Sequence, residues 1–379
     1  MSSGPSQHDI NGTHVNHYID GFGRFCSFKI GEGEKGVSFS SKMLNSNYYT
    51  HSKRDGCVIP GLLFQETTPP RWRAQVPMVN LLYQRDCNDN NWVDLELTAD
   101  GKDFVITSDS EQKLLFDINT LEQKGPISWE DNLNLMSGVS HSQTLPDGTV
   151  LSLGQDVSHN IILFKIEPEN PRKRIQVAKI PHKEFVLAHS FGLTKDYAIV
   201  MEPPFYLDIS ALTLMFQNVS ISERIKAHEG ATTKIHVIRL SDGHIQTLDT
   251  NIFTMVLHFG NAWQSDDNTI VIEGTSFENK ESSPFDTLHM KNLTSKEGIV
   301  NEMGCIFKRF TLKLDENKVE MDDLIQLQYG SAEFPTFNPD LQGKSENRYS
   351  YLLEMMSKSE VNHEYKWPLI KYDHENKQI

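Results

Sequence analysis

Imidazole is the side chain best suited to holding a transition metal near neutral pH. The chain has 15 histidines, and most read as surface or hydrogen-bonded polar residues. Three stand apart by context. His141 lies in GVSHSQTLPDGTVLSLGQ, His189 in FVLAHSFGLTKDYAIVMEPPF and His258 in FTMVLHFGNAWQSDDNTIVIEG. Each comes directly before or within a strand-like run, and successive members are 48 and 69 residues apart. Neutral imidazoles leave the whole charge of a divalent ion in place. Anionic groups therefore belong behind them, accepting the far ring N–H and fixing its tautomer. An ion so held, with positions left open, is chemistry for dioxygen at iron. Spacing alone leaves three structural histidines as the alternative.

Such residues need a scaffold that gathers distant parts of the chain. Helical signatures are scarce. Short β-rich runs dominate, such as Val105–Thr107, Ile161–Ile166 and Ile270–Ile272, and Asp, Asn and Gly turns break them. One pattern recurs: a strand that ends at a turn of Asp, Asn, Gly or Glu. It is seen in FCSFKIGEGEKG from Phe25, LLFDINTLEQKG from Leu114 and ILFKIEPENPRKR from Ile162. It returns in IHVIRLSDGHIQT from Ile235, FTLKLDENKVEM from Phe310 and LIKYDHENKQI from Leu369. The starts are 89, 48, 73, 75 and 59 residues apart, so the repeat is loose. Each copy reads as the outer hairpin of a small antiparallel sheet. Sheets set around an axis make a propeller, whose inner strands bring distant residues to one point. A β-sandwich fits the pattern as well.

Composition narrows the function. The chain has 379 residues, 38% of them hydrophobic, enough for a large core. Its net charge of −15 and pI near 5.4 argue against a nucleic-acid partner, which demands basic surface. No apolar run reaches the length of a membrane span, and Met1–Ile10 is polar, without the apolar core of a secretory leader. Cys26, Cys57, Cys87 and Cys305 form no CxxC pair, which fits free thiols in a reducing, cytoplasmic setting. GEGEKG (Gly31–Gly36) matches GxGxxG, but its two glutamates would repel a pyrophosphate and no βαβ unit surrounds it, so it reads as a hairpin turn.

At the three histidines the sequence resembles the carotenoid cleavage oxygenase family, which includes retinoid isomerohydrolases. SHSQTLPDGTV is similar to the first metal-histidine motif, AHSFGLTKDYAIVMEPP to the second and LHFGNAW to the third. NHYIDGFGRFCSFKI (Asn16–Ile30) resembles the family's N-terminal segment. AEFPTFNPDLQGKSENRYSY (Ala332–Tyr351) resembles its EFP segment, and KWPLIKYDHENKQI the strand that follows. The resemblance runs from about Gly12 to Ile379. It implies an all-β, seven-bladed β-propeller with a helical and loop dome, as a single domain over 1–379. It also implies ferrous iron, Fe(2+), on the axis, with His141, His189 and His258 as ligands. Glu333 and Asp109 would be carboxylates behind the histidines, Asp109 standing where the family has a glutamate.

The resemblance also marks departures. Family members continue past the LIKYD strand to a fourth histidine near an HG dipeptide, which this sequence lacks, so the propeller is expected to be incomplete. A fragment of an active enzyme and a truncated relative that has lost catalysis both fit. His363 and His374 read as solvated loop residues rather than a fourth ligand. The implied reaction is addition of O2 across a double bond of a carotenoid or apocarotenoid, giving carbonyl products. A retinoid isomerohydrolase, an inactive apolar-ligand binder and a plain interaction propeller are the competing readings. The resemblance implies a tunnel mouth with peripheral membrane contact at Phe205–Val219, where Leu212, Met215 and Phe216 fall at helical spacing; an ordinary core segment fits that spacing as well.

Overall fold

The computed structural model describes residues 2–31, 36–59, 63–70, 87–207, 220–280, 283–293, 304–327, 331–355, 357–358 and 365–379. They fall into two compact units: Met1–Lys183 with Asp208–Arg224, and Glu184–Leu207 with Ile225–Ile379. Both are built from small antiparallel sheets whose strands follow one another in chain order.

In the first unit, Ser2–Gln7, Phe22–Ile30 and Val37–Met43 form one sheet. A second runs Asp94–Leu97, Asp103–Thr107, Leu114–Asp117, Gln123–Pro126. The third runs Leu135–Gly138, Val150–Asp156, Ile161–Ile166, Arg174–Ile180, with Gln143–Thr144 also paired to Val150–Asp156. In the second unit the fourth sheet is Gly192–Leu193, Tyr197–Glu202, Lys234–Arg239, Ile245–Asp249. The fifth is Met255–Asp266, Thr269–Phe277, Ile306–Lys313, Lys318–Ile325. The sixth is Ser331–Thr336, Tyr349–Met355, Leu369–Asp373.

The middle strands explain why the sequence reads as continuous apolar runs rather than alternation. Ile161–Ile166 and Thr269–Phe277 are buried on both faces, whereas the last strand Gln123–Pro126 is not. Ile199, Val237, Leu248, Ile272, Phe310 and Leu312 make one core of the second unit; Phe25, Leu44, Ile106, Leu114 and Phe116 make one of the first. At three of the recurring turns an aspartate closes the loop on backbone N–H groups two or three residues ahead. Asp117 takes Asn119 and Thr120, Asp242 takes His244, and Asp373 takes Glu375 and Asn376. On either side of GEGEKG, Phe22–Ile30 pairs antiparallel with Val37–Met43 and the Gly31 N–H donates to the Gly36 carbonyl at 2.9 Å; residues 32–35 between them lie outside the described residues.

Candidate metal centre

Three of the residues singled out by chemistry lie on or just before the first strand of their sheets, and His141 follows the first strand of its own. His189 precedes Gly192–Leu193, His258 lies within Met255–Asp266 and Glu333 within Ser331–Thr336. His141 stands two residues before Gln143–Thr144.

The second unit brings His189, His258 and Glu333 together. The two imidazole centroids are 5.1 Å apart and nearly perpendicular, and the donor nitrogens lie within 4.8 Å of each other. Next to them, the Ser190 hydroxyl donates to the Leu257 carbonyl, tying the two histidine segments. His258 Nδ1 is 2.8 Å from Glu333 Oε2, so Nε2 is the nitrogen available to a metal. Thr275 Oγ1 and the Phe334 N–H also donate to Glu333 Oε2, at 3.0 and 3.1 Å. Glu333 is 1% exposed. Burial pushes its carboxyl up, but His258, the Cys305 thiol and the Phe334 N–H outweigh that and hold it below the usual value.

Local irregularities aim this couple. Between Val256 and Phe259 the fifth sheet's first strand advances three residues while its partner, from Ser276 to Gly274, advances two. His258 sits in that bulge, which turns its side chain out of the strand's alternation. Gly274, opposite, makes room: a Cβ there would lie 2.6 Å from Val256 Cγ1 and 3.2 Å from the His258 carbonyl. The sixth sheet repeats the device between Glu333 and Thr336, with Phe334 held at φ 55 and its ring centroid 4.8 Å from that of His258. A phenylalanine in the left-handed region is strained, and such strain persists where the surroundings fix it.

His141 belongs to the first unit, where Asp94 Oδ2 lies 2.7 Å from its Nδ1. Sequence reasoning missed Asp94: it opens the strand of WVDLELTADG, and nothing local to that strand points to a partner 47 residues on. Asp109 Oδ1 accepts from the Ser140 N–H and hydroxyl, at 3.0 and 2.7 Å, one residue before His141.

One expectation about the other histidines comes out differently. His374 is not a solvated loop residue: its side chain is 9% exposed, Arg309 Nη2 lies 3.1 Å from its Nδ1, and Ser350 Oγ lies 2.8 Å from its Nε2. The cause is the Glu273 carboxylate, 1% exposed, which draws Arg309 inward at 2.6 Å and His374 with it. Burial first, and then the neighbouring guanidinium, push the imidazole down to about 4. His363 lies outside the described residues, as do Leu212, Met215 and Phe216 of the expected tunnel mouth. The described start of that stretch, Phe205–Leu207, is a short strand. Among the described residues no helix is long and apolar enough to cross a membrane.

Short antiparallel sheets that carry carboxylate-backed histidines at their leading strands define an all-β protein with donors suited to a borderline divalent metal. The chain belongs to the carotenoid cleavage oxygenase family: the family model described as RPE65, retinal pigment epithelial membrane protein, matches residues 2–379. It is 24% identical over 343 residues to the beta,beta-carotene 15,15'-dioxygenase of Gallus gallus, covering 83% of this chain and 63% of that protein. It is 23% identical over 354 residues to the mitochondrial carotenoid-cleaving dioxygenase of Mustela putorius furo, covering 87% and 64%. The chain thus spans less than two thirds of the length of these relatives. Cobalt-substituted Synechocystis ACO superposes with a TM-score of 0.76 at 18% identity, covering 100% of this chain and 75% of that one. An ACO/RPE65 chimera gives 0.71 at 19%, with the same coverage. The fold is therefore that of the apocarotenoid oxygenase, a seven-bladed propeller enzyme of which this chain covers 75%; the described sheets do not close, in keeping with the incomplete propeller that the resemblance implied.

Proposed function

We propose that the protein is a non-haem iron dioxygenase that cleaves a carotenoid or apocarotenoid double bond to carbonyl products, with His141, His189 and His258 as ligands to one ferrous ion. The observation that carries this reading is the His189–His258 pair with Glu333 behind it. Two imidazoles face each other edge to plane, and a buried carboxylate fixes the tautomer of one. His141, with Asp94 on its Nδ1, supplies a third donor of the same construction.

The donor set fits a divalent transition metal: neutral nitrogens toward the ion, carboxylates on the far ring nitrogens. A bound ferrous ion would supply the capacity to bind and activate O2. The chain's own residues do the rest. Glu333 and Asp94 keep Nδ1 of their histidines engaged and so present Nε2. The bulges at His258 and Phe334 set the direction of approach. No side chain is needed as a general acid or base, because adding O2 across an alkene and splitting it to two carbonyls moves no net proton. Relatives named as carotene and carotenoid-cleaving dioxygenases support the substrate class. The four cysteines form no CxxC pair, which supports a reducing, cytoplasmic setting.

The test is reconstitution of the full chain with Fe(II), followed by incubation with a carotenoid in detergent micelles under air. Aldehyde or ketone products, lost in His258→Ala, are expected. Iron uptake without any carbonyl product, but with isomerised retinol from a retinyl ester, would favour the isomerohydrolase reading. Absence of both products would leave an apolar-ligand binder.

A further inference from the structure

The segment 139–142 around His141 is held residue by residue by the second sheet and its loops. Lys113 Nζ donates to the Val139 carbonyl at 3.1 Å. Asp109 holds the Ser140 N–H and hydroxyl, while Thr107 Oγ1 donates to the Ser140 carbonyl at 2.6 Å. Asp94 holds His141, and Glu96 Oε1 accepts the Ser142 N–H at 2.6 Å. Three carboxylates thus grip three consecutive residues, and one cation stands among them. Lys113 is 8% exposed and faces Glu96, Asp109, Glu111 and Asp94. Glu111 is committed elsewhere, to Arg174 at 2.5 Å.

Burying an ammonium is costly unless nearby charge and hydrogen bonds offset it. A methionine would fill the same volume without that cost. The position of this cation is what the surrounding anions require: without it, Asp94, Glu96 and Asp109 repel one another around the buried Ser140 that they and Lys113 hold.

We propose that Lys113 is a positioning residue for His141: its ammonium binds the Val139 carbonyl and balances Asp94, Glu96 and Asp109, so that residues 139–142 are fixed and His141 is aimed as a metal donor. This rests on the reading of His141 as a ligand. Lys113 touches neither metal nor substrate; it acts through the carboxylates and the backbone. A cavity of about 40 Å³, lined among others by Glu96, Lys113, Ser142, Val105 and Phe164, lies against the Lys113 side chain.

The test is Co(II) titration of the metal-free full chain, followed by visible absorption, with thermal unfolding of each metal-free variant alongside. Lys113→Met is expected to fold, to bind Co(II) about tenfold more weakly and to give an altered cobalt band. Lys113→Arg is expected to restore both affinity and band. Lys113→Met with wild-type affinity and an unchanged band overturns the proposal. If Lys113→Met does not fold, Lys113→Met/Glu96→Gln removes both charges together and is held to the same two criteria. His189→Ala separates the two claims. Cobalt binding by wild type that survives His189→Ala overturns the metal reading itself. Binding lost in His189→Ala but intact in Lys113→Met overturns only the role of Lys113.

Discussion

His141 and His258 each meet a carboxylate at Nδ1, at 2.7 and 2.8 Å, but the two stations are built on different principles. At His258 a single glutamate, 1% exposed, takes hydrogen bonds from His258, Thr275 and Phe334, and bulges in two strands aim the pair. At His141 the carboxylate of Asp94 is 40% exposed, and rigidity comes from a set of charges gripping the backbone on either side. A buried single partner gives a large penalty for loss, because whatever remains is left desolvated. A shared, wetter grip distributes the same task, so loss of one member is tolerated better.

The sharpest way to break this contrast is at Glu333. Glu333→Ala is expected to destabilise the protein by about 3–5 kcal/mol, since His258 Nδ1, the Thr275 hydroxyl and the Phe334 N–H all lose their buried acceptor, at about 1–3 kcal/mol each. Glu333→Gln is expected to fold and to lose about 10–100-fold in metal affinity. Chemical denaturation and metal titration read the two effects. Equal losses for Asp94→Asn and Glu333→Gln would erase the distinction.

Gly274→Ala comes next. The new methyl group meets Val256 and the His258 carbonyl, so about 1–3 kcal/mol of destabilisation is expected. The His189–His258 arrangement should loosen with it, seen as weaker metal binding.

Acid distinguishes buried groups of the two units by sign. His374 has its folded value lowered from 6.5 to about 4, so its contribution is present above 6.5 and lost as pH falls toward 4. Glu333, also lowered, contributes above 4.5 and loses that contribution below it. Asp20, in the first unit, is the opposite case. Burial raises it from 3.8 to about 7 against the N–H groups of Phe64 and Gln65, so its contribution is present at low pH and is lost as pH rises through 7. NMR titration should place the His374 midpoint near 4 and that of Asp20 near 7. Ordinary midpoints for both would mean that neither site is dry.

The smallest effect is expected at Asp94. Asp94→Asn should change stability by less than about 1 kcal/mol, given its exposure, and weaken metal binding by about tenfold or less. Binding assays at two ionic strengths would check the exposed character of this partner.

Much of this was legible in the sequence. Four of the six strand–turn motifs, those from Leu114, Ile162, Ile235 and Phe310, are hairpins between described strands, because polar turn residues break the apolar runs that flank them. The three histidines and Glu333 could be named because HSFGLT, HxxNAW and EFP are compact motifs. What was not legible depends on partners far along the chain. Asp94 looks like any residue opening an alternating strand; its role exists only once the loop before Gln143 folds over it. Lys113 reads as a polar residue between strands, and its burial appears only with Val139 and three carboxylates around it. His374 was misjudged because turn composition says solvent, whereas a buried Glu273 draws Arg309 and the imidazole inward. The bulges at His258 and Phe334 leave no mark in hydropathy, since one extra residue in a strand looks like ordinary apolar sequence.

The most direct test of the centre is X-ray absorption spectroscopy on the chain loaded with one equivalent of Fe(II). The account expects nitrogen and oxygen ligation only, with the multiple-scattering signature of three imidazoles, reduced in His141→Ala, His189→Ala and His258→Ala alike. A spectrum with sulfur ligation, or with no imidazole scattering, would contradict it.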